Sequence, residues 1–337
     1  MGLLQEKLSK YREPQKYMEA GIYPYFREID SHQDTEVTMS GKKVLMFGSN
    51  SYMGLTYDKR IVEAAVNATK KYGTGCAGSR FLNGTLDIHI QLEQELAEFV
   101  GKDEALVFST GFTVNSGVVP CLTGRNDYIL GDDRDHASIV DGRRLSVSTF
   151  FHYKHNDMED LERELKRCRP DAIKLIITDG LFSMEGDLAK LPQIVELKKK
   201  YDAAIMVDEA HGLGVFGRNG RGTCDHFGVT DDVDLIMGTF SKSLASIGGF
   251  IASDHDTINW LRHNSRTYIF SASNTPAATA AALEALHIIK SEPERQENLW
   301  KITNYVLKQF KDAGFEIGET ESPIIPLYVR DAAKTFE

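Results

Sequence analysis

The stretches AAIMVDEAH (203–211) and VDLIMGTFSK (233–242) each place polar residues directly after a short apolar run. Such a run is typical of a buried strand, and open α/β sheets bind ligands beyond the carboxyl ends of their strands. The two runs therefore predict one edge of a sheet that carries a carboxylate, an imidazole, two hydroxyls and an amine, supplied by Asp208, His211, Thr239, Ser241 and Lys242.

Further strand-like and helix-like patterns alternate along the chain from residue 59 onward. Helical patterns such as 157–168 and 191–201 separate the apolar runs, and the second of these has a proline in its first turn. This alternation predicts an α/β fold with a mostly parallel central sheet and helices on both faces. The other strand candidates are ALVFST (105–110), DYILGD (127–132) and IKLIITDG (173–180).

Changes in pattern predict three segments. Residues 1–56 form an N-terminal arm that includes a hairpin-like pair of strands in MSGKKVLMFGSNSYMGL, and residues 57–290 form the large ligand-binding domain. A charged stretch, SEPERQENLW, opens the third segment, 291–337, for which we expect a helix, a turn and the strand IIPLYV. This third segment is interpreted as the start of a small, incomplete C-terminal domain.

Composition excludes several classes of function. The chain of 337 residues is 42% hydrophobic and 26% charged, as in an ordinary globular protein. A net charge of −10 disfavours nucleic acid and anionic lipid as partners, so any membrane contact would be peripheral at most. Four cysteines without Cys-x-x-Cys spacing suggest neither a disulfide framework nor a metal site, and no targeting signal is visible, so we expect a cytoplasmic protein.

The combination of an acid, a lysine and imidazoles is more informative than any member alone. Asp208 could cap a helix, a histidine could be a hydrogen-bonded core residue, and a lysine could be solvated. Strand DYIL, however, leads to His136, so two imidazoles join the acid and the lysine. A lysine that forms a Schiff base and an acid that keeps a ring nitrogen protonated are what pyridoxal phosphate requires.

A phosphate-binding segment is also available. STGFTVNSG (109–117) follows a strand candidate and can begin a helix, so the amides near Gly111 and Phe112 would face an anion. Hydroxyls of Thr239 and Ser241 can add donors, although a plainly capped helix would look the same. Two Gly-x-Gly-x-x-Gly matches, at 73–78 and 212–217, lack the strand-then-helix context of a dinucleotide site, which makes an oxidoreductase the least favoured alternative.

Beyond these residues, the chain resembles the α-oxoamine synthases, pyridoxal-phosphate enzymes of fold type I, the aspartate aminotransferase-like fold. The resemblance covers nearly the whole chain in the family's order. It is carried by GSNSYMGL, GTGCAGSRFLNGT, STGFTVN, DRDHASIVDG, DGLFSMEGD, VDEAHGLGVFGRNGRG, GTFSKS and GGF.

The resemblance implies a role for each matching residue. Lys242 would hold the cofactor and act as the base at the substrate Cα, Asp208 would pair with the pyridine nitrogen, and His211 would bond the phenolic oxygen. His136 would stack on the ring and orient the substrate carboxylate. Phosphate would be bound by Gly111, Phe112, Thr239 and Ser241, and Ser271 would reach the phosphate of a neighbouring subunit, which implies a homodimer with a shared active site.

The implied reaction is an acyl transfer. Among family members the chain most resembles the bacterial ones that condense L-serine with palmitoyl-CoA, releasing CoA and carbon dioxide and giving 3-ketodihydrosphingosine. Enzymes that use glycine (2-amino-3-ketobutyrate CoA ligase) or alanine (8-amino-7-oxononanoate synthase) are the alternatives. A non-catalytic subunit is a further alternative, against which the presence of Lys242, Asp208 and His136 argues.

Two departures from the family bear on these expectations. Phe112 stands where relatives often carry tyrosine, which removes a hydroxyl but keeps the backbone amides. The family also continues beyond the position of residue 337 with the rest of a small domain, including an arginine that grips the substrate carboxylate. We therefore expect this chain to be a fragment, or to position its substrate differently.

Overall fold

The computed structural model describes residues 2–336 and is built around a seven-stranded sheet. An antiparallel hairpin, β1 (Glu36–Met39) and β2 (Lys42–Leu45), lies outside this sheet. The arm thus contains a pair of strands as expected, but its first strand begins three residues before the stretch in which it was predicted. The sheet contains β3 (Glu104–Phe108), β4 (Tyr128–Asp132), β5 (Thr149–Tyr153), β6 (Lys174–Asp179), β7 (Ala204–Asp208), β8 (Leu235–Thr239) and β9 (Gly249–Ser253).

The strand order, β3-β9-β8-β7-β6-β4-β5, decides where the polar residues meet. All neighbours are parallel except β9, which runs antiparallel to β3 and β8. In this register Asp179 of β6 lies opposite Asp208 of β7, which in turn lies opposite Met237 of β8. Three adjacent parallel strands therefore end at one edge, as a ligand site in an open α/β sheet requires.

Helices cover both faces of the sheet, as expected for this fold class. They are α1 (Leu3–Ser9), α2 (Glu13–Glu19), α3 (Lys59–Tyr72), α4 (Asp87–Val100), α5 (Gly111–Leu122), α6 (Ala137–Leu145), α7 (Met158–Leu165), α8 (Leu191–Tyr201), α9 (Thr223–His226), α10 (His255–Asn264), α11 (Arg266–Ile269), α12 (Pro276–Ser291), α13 (Glu294–Asp312) and α14 (Ala332–Phe336). Of the helices in residues 2–336, none is both long enough and apolar enough to cross a bilayer.

Alternation along the strands divides the apolar core between the two faces. On β7, Ile205 and Val207 belong to one buried cluster, together with residues of α4, α8 and α12. Met206 points to the other face, into a cluster with residues of α5 and α6. The central strands are buried on both sides, which explains why the sequence shows them as unbroken apolar runs.

Most of the predicted elements are present, and three differ. Each of the five long apolar runs contains a strand, and the helix predicted over 191–201 is α8. Strands β5 and β9 were not predicted, because TFFHY is only half-buried and GFIAS begins at a glycine pair. The strand predicted at IIPLYV was wrong: the segment adopts no regular structure, and among residues 2–336 its backbone N–H groups donate to only one backbone carbonyl, from Tyr328 to Glu316. The division at residues 56 and 290 stays a prediction.

Candidate active site

A cavity of about 340 Å³ lies at the carboxyl ends of β6, β7 and β8. Its wall includes all of the predicted site residues except two, Asp208 and Ser271: those present are Gly111, Phe112, His136, His211, Thr239, Ser241 and Lys242. Segments far apart in the chain thus converge on one volume, because they follow strands that are neighbours in the sheet.

Lys242 follows the end of β8, in the turn that leads to β9. Burial lowers the pKa of its amine, while the nearby carboxylates of Asp208 and Asp179 oppose that shift. A lowered pKa increases the fraction of free amine, which is the nucleophilic form. The Lys242 amine is therefore better suited to attack a carbonyl than the amine of a lysine exposed at the surface.

Asp208 lies just behind the cavity and is 2% exposed. Its Oδ1 accepts a hydrogen bond from the Ala210 N–H at 2.9 Å, and its Oδ2 accepts one from the Asn115 side-chain amide at 2.8 Å. Both oxygens are thus held by donors, which fixes the direction in which the carboxylate points. The Lys242 amine lies close enough for Asp208 to act on its pKa, so acid and lysine belong to the same site.

A second carboxylate, Asp179, forms part of the cavity wall and was not predicted. The pKa of Asp179 lies well above its usual range, mainly because the side chain is buried and secondly because the negative charge of Asp208 is close. Its Oδ2 accepts a hydrogen bond from the backbone N–H of His136 at 2.7 Å. The signal was present in the sequence, because Asp179 ends the strand candidate IKLIITDG just as Asp208 ends its own strand.

The two histidines are each held through Nδ1. His136 caps the N-terminus of α6, and its Nδ1 accepts from the Ser138 N–H at 3.2 Å and lies 2.7 Å from the Ser138 hydroxyl. Nδ1 of His211 lies 2.8 Å from the hydroxyl of Tyr52. Burial, and after it the charge of Lys242, lowers the pKa of His211 to about 3, so this ring is neutral at physiological pH.

The N-terminus of α5 offers a place for a phosphate group. Thr110 caps this helix by accepting from the Thr113 N–H, and the first residues of the helix, Gly111 and Phe112, face the cavity. A Cβ at Gly111 would stand 2.8 Å from Oγ1 of Thr239, and one at Gly249 would stand 2.7 Å from Cα of Gly111. The glycines therefore let helix and strands approach closely enough for amides and hydroxyls to converge on an anion.

These features fit pyridoxal phosphate. A partly buried amine, a carboxylate held by two donors, two imidazoles and a helix N-terminus beside paired hydroxyls match the groups that the cofactor needs. The hydroxyls of Thr239 and Ser241 lie 3.0 Å apart, so both can serve one anion.

Ser271 does not reach this cavity. It forms part of a separate small cavity, together with Arg80 and Asn274. Its role toward the phosphate of a neighbouring subunit stays a prediction. Tyr52, Asn115 and Ser138 were also not predicted, although all three lie inside segments that carry the family resemblance.

Comparison with known proteins places these features in a family. Residues 42–336 match the model of the family "aminotransferase class I and II". A serine palmitoyltransferase of Bacteroides thetaiotaomicron is 75% identical over 100% of this chain and 85% of its own length. An 8-amino-7-oxononanoate synthase of Petrotoga mobilis is 45% identical over 96% of this chain and 83% of its own length.

Solved structures give the same result. The serine palmitoyltransferase of Sphingomonas wittichii superposes with a TM-score of 0.95 at 37% identity, over 100% of this chain and 85% of that one. The two proteins therefore share their fold along the whole described chain, and their sequences are clearly related as well. The chain therefore belongs to the aminotransferase class I and II family and, within it, to the pyridoxal-phosphate-dependent α-oxoamine synthases.

Proposed function

We propose that this protein condenses L-serine with a long-chain acyl-CoA, palmitoyl-CoA, to give 3-ketodihydrosphingosine, CoA and carbon dioxide. This reaction is the first step of sphingolipid biosynthesis. The observation that carries the proposal is the 75% identity to a serine palmitoyltransferase along the whole chain, against 45% to an 8-amino-7-oxononanoate synthase. The cavity around Lys242 supplies the groups that such a reaction needs.

Lys242 is the residue that we assign to holding the cofactor and to moving the proton at the substrate Cα. Its lowered pKa keeps a share of the amine unprotonated, so it can first bind a carbonyl and later accept a proton. When bound, pyridoxal phosphate supplies an electron-accepting ring that stabilises negative charge at the amino-acid Cα. Asp208, fixed by the donors on both of its oxygens, would hold a proton at the ring nitrogen.

His136 and His211 are assigned to orientation. The ring of His136 borders the cavity on the side of α6, where it can contact both the cofactor ring and the carboxylate of the amino acid. His211, neutral and held by Tyr52, can donate one hydrogen bond to the phenolic oxygen. Gly111, Phe112, Thr239 and Ser241 would bind the phosphate.

A homodimer with a shared active site is part of the proposal. Ser271 borders the same small cavity as Arg80. Phe270, next to Ser271 in the chain, is 74% exposed, and Leu82, two residues after Arg80, is 80% exposed. Large exposed apolar side chains are what a subunit interface would cover. A cytoplasmic location also stays a prediction, consistent with four free cysteines.

The test is a comparison of amino-acid substrates. The protein loaded with pyridoxal phosphate is incubated with palmitoyl-CoA and either serine, glycine or alanine, while CoA release and the ketone product are followed, the latter by mass spectrometry. We expect serine to support turnover at least about tenfold faster than the other two, and Lys242→Ala to reduce it by about 10³-fold or more. Faster turnover with glycine or alanine would assign the chain to another member of the family. Cofactor binding without any turnover would support a non-catalytic subunit.

A further inference from the structure

Asn115 connects two parts of the site that the sequence analysis treated separately. It lies one turn into α5, is fully buried, and its Nδ2 donates both to Asp208 Oδ2 at 2.8 Å and to Ser138 Oγ at 2.9 Å. Its Oδ1 is buried and has no hydrogen-bond partner among residues 2–336. The reverse orientation of the amide would set that oxygen against the Asp208 carboxylate, so the donating orientation is the stable one.

The next link runs from Ser138 to His136. Because the Asn115 amide donates to the Ser138 oxygen, the hydroxyl hydrogen of Ser138 is free to donate to Nδ1 of His136, 2.7 Å away. The Ser138 backbone N–H points to the same nitrogen at 3.2 Å, and an N–H can only donate. Nδ1 is therefore an acceptor, and the neutral ring carries its hydrogen on Nε2.

We infer that Asn115 and Ser138 are positioning residues that join the Asp208 carboxylate to the His136 ring and hold the proton of that ring on Nε2. The inference rests on the proposed function for the roles of Asp208 and His136, while the hydrogen bonds between them do not depend on it. With Nδ1 occupied, Nε2 is the nitrogen left to face the cavity, where its hydrogen can be donated to the carboxylate of an amino acid.

This arrangement has a structural consequence for the site. Helix α5 begins at the proposed phosphate-binding amides and also carries Asn115. Helix α6 begins directly after His136 and carries Ser138, and the two helices pack against each other. A shift of either helix would therefore change the phosphate contact, the carboxylate and the imidazole together.

The experiment measures the imidazole nitrogens by ¹⁵N NMR, in the protein with and without pyridoxal phosphate and without any amino acid. We expect the ¹⁵N chemical shifts of His136 to be those of a neutral ring that carries its hydrogen on Nε2. Ser138→Ala should shift the Nδ1 signal, Asn115→Ala should shift it in the same direction by less, and the double variant should match Ser138→Ala alone. Ser116→Ala is the matched control, since this buried hydroxyl on the same helix bonds only to the Phe112 carbonyl.

A hydrogen on Nδ1 in the unchanged protein would overturn the inference, as would additive shifts or an Asn115→Ala signal identical to that of the control. If Asn115→Ala does not fold, Asn115→Leu replaces it, because leucine fills the same space without hydrogen-bond donors. The same shift of the His136 Nδ1 signal is then expected. A kinetic measurement adds a second readout: Ser138→Ala should raise KM for the amino acid about fivefold with a smaller change in kcat. Because the NMR signal needs no turnover, failure of the proposed function would leave this result intact.

Discussion

Two groups of carboxylates and imidazoles lie at the same edge of the sheet, and they differ in how their charges are balanced. In the first, which we call the closed cluster, His155 bridges Asp132 and Asp187 at 3.0 and 2.8 Å. The second is the cavity around Lys242, where the buried carboxylates of Asp179 and Asp208 lie near one partly buried amine. The same residue types thus form two different environments within a few strands of each other.

The pKa shifts express this difference. In the closed cluster burial works against the charged imidazole, but hydrogen bonds with Asp132 and Asp187 outweigh it and raise the pKa of His155 to about 9. In the cavity, burial prevails: it lowers the pKa of Lys242 and raises that of Asp179. Charges are stabilised in the first group and destabilised in the second. A site whose charges lack full compensation by the protein is the one suited to receive a charged ligand.

Lys242→Ala should have the largest effect of any single change in this comparison. It removes the only group that we assign to both cofactor attachment and proton transfer, so turnover should fall by about 10³-fold or more. The measurement is treatment with borohydride followed by peptide mapping, which should fix the cofactor to the unchanged protein and not to the variant. Attachment of the cofactor to a peptide without residue 242, in the unchanged protein or in Lys242→Ala, would disprove the assignment.

Asp208→Asn should reduce kcat by about 100-fold or more, because an amide cannot keep a proton on the ring nitrogen as a carboxylate does. Steady-state kinetics at saturating cofactor measures this loss. Asp187→Asn, in the closed cluster, is the matched control: it makes the same chemical change at the same edge of the sheet and should leave kcat of the folded protein nearly unchanged. Equal losses in both variants would mean that the two groups do not differ in function.

The sequence predicted the cavity better than it predicted what supports it. Lys242, Asp208 and His136 could be found because each follows an apolar run, and neighbouring parallel strands bring such ends together. Asp179 obeys the same rule and was overlooked. Asn115 and Ser138 could not be found in this way, because they lie within helices and their partners depend on how α5 packs against α6.

The fold shows a similar limit. Central strands such as β7 are buried on both faces and stand out as apolar runs, whereas β5, at the edge of the sheet, has exposed residues at Thr149 and His152 and only Tyr153 fully buried. IIPLYV has the composition of a strand, but a strand needs a neighbour, and within residues 2–336 this segment pairs with none. Composition predicts the tendency to form a strand, and only the tertiary structure decides whether a partner exists.

His155→Gln tests the closed cluster. Because the pKa of His155 is about 9 in the folded protein and near 6.5 in an unfolded chain, its stabilising effect is complete below about pH 6.5 and is lost as the pH rises to about 9. Allowing for partial exposure of the ring, we expect the variant to lose on the order of 2 kcal/mol at low pH. Thermal unfolding between about pH 6 and 9 measures this, and the two proteins should converge at the alkaline end.

His255→Gln is the matched control for that measurement. His255 also pairs with a carboxylate, Glu104, at 2.6 Å, but its side chain is 71% exposed. Exposed ion pairs contribute little to stability, so this variant should unfold close to the unchanged protein at every pH. A larger loss of stability in His255→Gln than in His155→Gln would mean that the half-buried ion pairs of the closed cluster do not stabilise the fold more than an exposed pair does.

Tyr52→Phe should have the smallest effect and tests how the cavity orients a neutral imidazole. It removes the hydroxyl 2.8 Å from Nδ1 of His211, a loss of about 1 kcal/mol, so we expect pyridoxal phosphate to bind about fivefold more weakly in an absorbance titration. Tyr57→Phe is the control, because Tyr57 is 57% exposed and stacks on His32. The pKa of His211 is about 3, so the ring has no charge to gain above about pH 5 and the weakening should be the same from about pH 5 to 8. A loss that grows toward low pH would mean that His211 becomes protonated when Tyr52 is removed, and that this tyrosine controls the charge of the ring as well as its direction.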